Sequence, residues 1–337
     1  MRLIITIFFF IFTIQLNGQI SDFKNIDFTK ADNTAKLFHG ESLKNLPLLT
    51  YKLTSKLNTD VEKFRAIYIW VCNNIQNDYT GFLTINRKRK KYKNNLVAYQ
   101  KWHDNYRKKA FKLLLNKKRT ICTGYAYLIQ QMSYIAGLKC KMIDGYGRNT
   151  ISNTDELGIP NHTWNAINLN NKWYLCDATW ASGYIDENFK FLKTYNNGYF
   201  LTSPLLFAKN HHPIDKKWLL GIHQTADEFV SSPLVYDTTF EHKIIPIQPQ
   251  SLYLEVEKNK PITFQYKTIK SINLKDVKLV YYTLNNSERK LKLHNISLIN
   301  NILKFNTIFK KKGTYDIHLK TASEIVVSYA VHVKKTI

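Results

Sequence analysis

Acidic residues are scarce in this 337-residue chain, where 25 Asp and Glu stand against 49 Lys and Arg, a formal net charge of +24. No dense acidic cluster exists that could offer calcium its hard oxygen ligands. None of the four cysteines forms a Cys-x-x-Cys pair, which argues against a structural zinc site. Zinc-finger spacing and a glycine-rich RNA-binding signature are both missing, so nucleic acid is not the expected partner of the positive charge. After the first twenty residues no apolar run is long enough to cross a bilayer. Neither a metal nor a cofactor is expected.

What the chain does have is 44% hydrophobic and 14% aromatic content, enough to bury a substantial core and to fill two domains. Its first residues place one positive charge, Arg2, before an apolar stretch from Leu3 to Ile14 and a small residue at Gly18. That order reads as a secretory signal peptide over residues 1–18, too short for a span, and predicts an exported protein, periplasmic or extracellular. No cysteine precedes Cys72, so a lipoprotein cleavage-site cysteine is absent.

Much of the basic excess lies in Arg87-Lys88-Arg89-Lys90-Lys91, Arg107-Lys108-Lys109 and Lys117-Lys118-Arg119. A solvated lysine-rich face on an insertion at residues 87–109 is the plainest reading; an anionic cell-envelope polymer is the next partner in line. Parity would allow two disulfides among Cys72, Cys122, Cys140 and Cys176 in an exported chain. Position argues otherwise. Cys72 falls on the apolar stripe of a helix and Cys140 and Cys176 within apolar strands, where free thiols act as small hydrophobes. Only Cys122 sits at a punctuated turn.

Thr59-Asp60-Val61-Glu62 has the capping-box pattern and opens an amphipathic helix with Val61, Phe64, Ile67, Tyr68, Val71 and Ile75 at helical spacing. Beyond the insertion, Tyr125, Leu128, Ile129, Met132, Ile135 and Ala136 repeat at the same period until Gly137. Cys122 therefore marks the first turn of a largely buried helix. Residues 139–145 read as a strand. Residues 162–180 read as a hairpin turning at Asn170-Asn171, which pairs positions whose numbers sum to 341. Thr179 then faces His162, and Asp177 faces Trp164. His162 and Asp177 become diagonal neighbours on one face, roughly 7–8 Å apart at the backbone.

That arrangement has a chemistry. A helix N-terminus and an adjacent imidazolium lower a cysteine's pKa, so Cys122 is the candidate nucleophile. His162 would take and return its proton, and Asp177 would orient the ring. The backbone N–H of Cys122 and a second, unidentified donor would meet the oxyanion.

Cys122-Thr-Gly-Tyr-Ala, His162-Thr-Trp-Asn and Asp177-Ala-Thr-Trp, in that order, resemble the three catalytic motifs of transglutaminase-like proteins. Arg65-Ala-Ile-Tyr-Ile-Trp70 and Tyr199-Phe-Leu-Thr-Ser-Pro204, continuing through His211-His212-Pro213 to Trp218-Leu-Leu220, are similar to the branch named for the kyphoscoliosis peptidase. The resemblance covers roughly residues 45–222 of a 19–240 domain. It implies an α+β, papain-like core in which the cysteine helix packs on an antiparallel sheet. The basic insertion is the expected departure from the family pattern, and it bears on substrate access.

Pro246 and Pro249 suggest a linker over residues 241–250. Beyond it, short alternating strands from Leu252 to Val333 predict a β-sandwich module over residues 251–337, without a catalytic cluster. Three functions fit this reading. The first is a cysteine hydrolase acting on peptide or amide bonds of a protein or peptide substrate. The second is a crosslinking acyl transferase using the same thioester, and the third a non-catalytic scaffold that keeps the fold.

Overall fold

The computed structural model describes residues 19–153 and 155–335. The segment read as a signal peptide, 1–18, lies outside the described residues.

The capping box at Thr59 forms as its sequence predicts. The Thr59 side chain accepts from the Glu62 N–H at 3.3 Å, and the Glu62 carboxylate accepts from the Thr59 N–H at 3.0 Å. The helix that follows, Asp60–Asn74, is not the one-sided amphipathic helix its period suggested: every residue from Phe64 to Cys72 is buried. Helices Thr29–Leu37 and Leu46–Thr54 cover one side of it, and helix Cys122–Ile135 lies against another. Arg65 survives this burial because its guanidinium donates twice to Asp32, at 2.7 and 3.0 Å, and lies 4.7 Å over the Phe200 ring. This family-motif arginine is thus a clamp between the first helix and the core.

The core sheet has four antiparallel strands in the order Lys172–Cys176, His162–Leu169, Lys139–Gly147, His211–Pro213. The hairpin of its first two strands turns at Asn170 and Asn171, both at positive φ (51° and 59°), as a two-residue turn matched to strand twist requires. The pairing runs from Leu169 with Lys172 to Asn165 with Cys176, so the 341 register holds. Cys122–Ile135 packs on this sheet, and the Asn165 side chain ties the two together by donating to the Ala126 carbonyl at 3.0 Å. Helix-borne cysteine on an antiparallel sheet is the expected α+β, papain-like arrangement.

One boundary differs. The second strand ends at Cys176 rather than running to Trp180, and residues Ala178–Ala181 turn into a short helix. Asp177 causes the turn: its side chain accepts from the N–H groups of Thr179 and Trp180 at 2.7 and 3.3 Å. Thr179 is therefore not a strand partner of His162.

The basic insertion folds as two helices, Tyr79–Lys91 and Leu96–Lys117. Lys88 of the first lies 5.5 Å from the Trp102 ring of the second, and within the second helix Trp102 stacks on Tyr106 with centroids 5.2 Å apart.

Two sheets form the C-terminal region. One orders Ile244–Gln248, Pro261–Thr268, Ile302–Ile308 and His294–Ile299. The other orders Tyr253–Glu257, Glu324–Lys334, Gly313–Thr321, Lys278–Tyr282 and Glu288–Leu291, with Leu234–Val235 added to Glu324–Lys334. Phe264 of the first meets Tyr329 of the second edge to face at 5.3 Å, within a buried layer that includes Phe305, Leu319 and Val331. The expected all-β module is present, but the segment taken for a linker belongs to it. Residues 244–248 form an edge strand, where Pro246 deprives no second neighbour of a hydrogen bond.

Candidate active site

Cys122 opens its helix, and the preceding Ile121 offers no side-chain cap. The N–H groups of Cys122 and Thr123 are thus orphan donors at the positive end of a helix. Gly124 belongs to the same turn for steric reasons: a Cβ there would lie 2.0 Å from Thr120 Oγ1.

His162 begins the central strand. Its Nε2 lies 2.7 Å from Asp177 Oδ2, which leaves Nδ1 as the ring nitrogen free to serve the Cys122 side chain, which lines the same cavity and whose thiol pKa the imidazole lowers. The ring stacks on Trp180 at 4.5 Å and 16°. Gly147, on the neighbouring strand, makes room for it, since a Cβ there would come within 2.9 Å of the His162 Cβ. The structure therefore brings the three sequence-derived residues together, with Cys122 half-buried and His162 and Asp177 only 7% and 0% exposed.

Electrostatics follow from that burial. Desolvation pushes the Cys122 thiol up, but hydrogen bonding to His162, the His162 and Arg89 charges and the Thr163 backbone bring it below its ordinary value. Desolvation lowers His162, and the Asp177 carboxylate and Cys122 outweigh it, raising the imidazole to about 10. Asp177 is pushed up by burial and then held well below the usual carboxylate range by His162 and His211. The other thiols behave differently. Cys72, Cys140 and Cys176 are buried and free, and desolvation raises all three, Cys140 to about 12.

His211 is the residue that sequence reasoning missed, although it was quoted within a family motif. It lies on the short edge strand and turns Nε2 to within 3.2 Å of Asp177 Oδ2, while Nδ1 lies 2.6 Å from the Asn210 side chain. It stacks on Phe207 at 3.8 Å, and burial lowers it to about 4, so it sits neutral beside the charged pair. His162, Asp177 and His211 together place ligand-type atoms within 4.8 Å of one another. At 2.7 Å, the His162 and Asp177 atoms are closer than two ligands of one tetrahedral ion would sit, so the cluster is a hydrogen-bonded network. Behind Asp177, the Tyr68 hydroxyl donates to its backbone carbonyl at 2.9 Å, which explains the tyrosine of the Arg65–Trp70 motif. A further chain runs from Asn210 to the Tyr199 hydroxyl and on to Asp237 Oδ1, at 3.4 and 2.6 Å.

Cys122 and His162 open on a cavity of about 310 Å³. Trp180, Tyr184 and Phe191 form one wall, and Tyr79, Phe82 and Arg89 of the first insertion helix form another. The insertion therefore shapes access to the thiol directly.

Residues 48–178 match the Transglutaminase-like superfamily model. The chain is 32% identical to human Kyphoscoliosis peptidase over 211 residues, which is 61% of this chain and 28% of that protein. It is 30% identical to the mouse Kyphoscoliosis peptidase over 218 residues (63% of this chain, 30% of that protein), and 24% identical to Drosophila melanogaster Hillarin over 235 (64% and 26%). The aligned region spans less than a third of the length of these curated relatives. Residues 48–178 thus form a domain of the transglutaminase-like superfamily, and the wider region around it is similar to the kyphoscoliosis peptidases.

Proposed function

We propose that this protein is an exported cysteine-nucleophile enzyme that cleaves or transfers peptide or amide acyl groups through Cys122, His162 and Asp177. The observation that carries the reading is the Cys122 thiol at the uncapped start of a helix, lining one cavity with His162, whose Nε2 is held 2.7 Å from Asp177 Oδ2.

The Cys122 thiolate attacks the acyl carbon, and the oxyanion is met by the orphan N–H groups at the start of the Cys122 helix. As the carbon–nitrogen bond breaks, His162 gives its Nδ1 proton to the leaving amine and a thioester remains. Water, or an acceptor amine in the transfer variant, attacks the thioester as His162 takes its proton. The sulfur leaves as thiolate, which restores the pair. Asp177 stays ionised throughout and fixes the proton on Nε2, so that Nδ1 is the atom that exchanges it. Export rests on the Arg2 and Leu3-to-Ile14 pattern. The exposed lysines of the insertion helices support approach of an acidic protein or an anionic envelope polymer.

Cys122→Ala tests the nucleophile. Loss of all amide-bond turnover with an unchanged melting temperature is expected, because a half-buried side chain at a helix start leaves no core cavity. Retained turnover would remove Cys122 from the mechanism.

A further inference from the structure

The cavity in front of Cys122 is mostly aromatic, aliphatic or neutral. Its charged lining residues are His162, Asp237 and Arg89. His162 is engaged by Asp177, and Asp237 accepts from Tyr199. Arg89 is different. Its Nη1 donates to the Asn86 side chain at 3.0 Å, yet its Nε is buried and has no partner. Among the described residues no carboxylate pairs with it. Leaving a guanidinium donor buried and unbonded costs free energy that an arriving acceptor would recover. The last turn of the same helix carries Lys88, Lys90 and Lys91, so the residue sits within a field that concentrates anions at the cleft mouth.

We propose that Arg89 is the specificity-determining residue of this cleft, recognising a carboxylate on the substrate close to the acyl group that Cys122 attacks. The substrate class is then an acidic peptide or protein segment, with a Glu, Asp or chain-terminal carboxylate beside the reacting bond. A guanidinium suits the task because its planar fork can match both carboxylate oxygens. The proposal rests on Cys122 being the nucleophile, and its test separates the two.

Iodoacetate and iodoacetamide differ by a carboxylate against a carboxamide on the same small frame. Both alkylate a thiolate, so any change in Cys122 reactivity affects them equally and cancels in the ratio of their rates. For the wild type, the iodoacetate-to-iodoacetamide ratio at Cys122, read by peptide mass spectrometry, should exceed that of free cysteine. In Arg89→Gln the ratio should fall by roughly 3- to 10-fold, the size expected for removing one charge several ångströms away in a partly hydrated cleft. Arg89→Lys should keep most of the preference, and Lys90→Gln, on the exposed face of the helix, should keep all of it. An Arg89→Gln ratio equal to wild type overturns the acidic-substrate inference while leaving the nucleophile in place. A Cys122 that reacts with neither reagent faster than free cysteine overturns the nucleophile, and this inference with it.

Discussion

Replacing Asp177 with Asn keeps the side-chain shape and removes one charge, and the surrounding bonds dictate how the new amide must lie. Asp177 Oδ1 accepts from the N–H groups of Thr179 and Trp180, so that position demands an oxygen. Oδ2 faces His162 Nε2 and His211 Nε2. With the amide oxygen held at Oδ1, the NH₂ group points at both imidazoles, and each must present a lone pair there. His211 can comply by carrying its proton on Nδ1 and donating it to Asn210 Oδ1, 2.6 Å away. His162 can comply only by moving its proton to Nδ1, the atom that must accept from the Cys122 thiol. The reversed amide would restore the useful tautomer at the loss of two backbone bonds, costing roughly 1–3 kcal/mol for each buried donor left unsatisfied. A total of about 2–6 kcal/mol for the two leaves the productive arrangement in about one molecule in 30 to 25,000.

Asp177→Asn should therefore slow acylation by about two orders of magnitude, less than the loss for the equivalent serine-enzyme exchange because a thiolate is the more reactive nucleophile. Iodoacetamide alkylation of Cys122 across pH measures this without a known substrate. The wild type should react well below pH 8, because the ion pair keeps the thiol ionised, and the variant should react as an ordinary thiol that needs alkaline pH. The fold should persist, with a melting temperature lowered at acid pH, where protonating His162 would bury an imidazolium without its compensating charge. An unchanged alkylation profile would refute the orienting role of Asp177, and a chain that no longer folds would recast it as structural.

Gly147→Ala puts a methyl within 2.9 Å of the His162 Cβ and 3.0 Å of its Cγ, so the ring must swing away from Cys122. Turnover and low-pH alkylation should fall at least 10-fold, and a full-rate variant would show that the site has slack there. Asp237 is raised to about 6, first by burial, despite its bond from Tyr199. Its raised pKa means that stability is fully present below about pH 4 and is lost as pH rises through 6, by at most about 3 kcal/mol. Asp237→Asn keeps an acceptor for Tyr199 without that penalty. Its melting temperature should gain on wild type between pH 4 and 7 and stay parallel above, and a pH-independent difference would contradict the assignment.

The three candidate residues were legible because each is announced by local signals. Cys122 follows a turn and precedes a helical period, and His162 and Asp177 are tied by the only register an Asn-Asn hairpin allows. What failed was the end of the strand. A four-residue helix has no period to read, so Asp177 looked like a strand residue when its carboxylate is also a cap. His211 was hidden for a different reason. It is 34 positions from its partner on a three-residue edge strand, and only tertiary packing puts it there. The C-terminal strand Glu288–Leu291 carries no alternation to read, because it lies at a sheet edge, where polar side chains replace the pattern. Pro246 misled in the same way, by marking a strand edge rather than a linker.

The scaffold reading can be weighed against the network around Asp177. A buried carboxylate stays ionised only if its acceptor positions are filled, and here two backbone N–H groups and two imidazoles fill them. Such a charged pair brings little net stability, because apolar side chains of similar volume commonly hold a core as well or better. A fold that needed the site only for shape would gain from such a replacement. It would have no use for a thiol held below its ordinary pKa at the mouth of an open cavity while the other three cysteines are buried with theirs raised. The contrast between one lowered thiol and three raised ones favours chemistry over architecture.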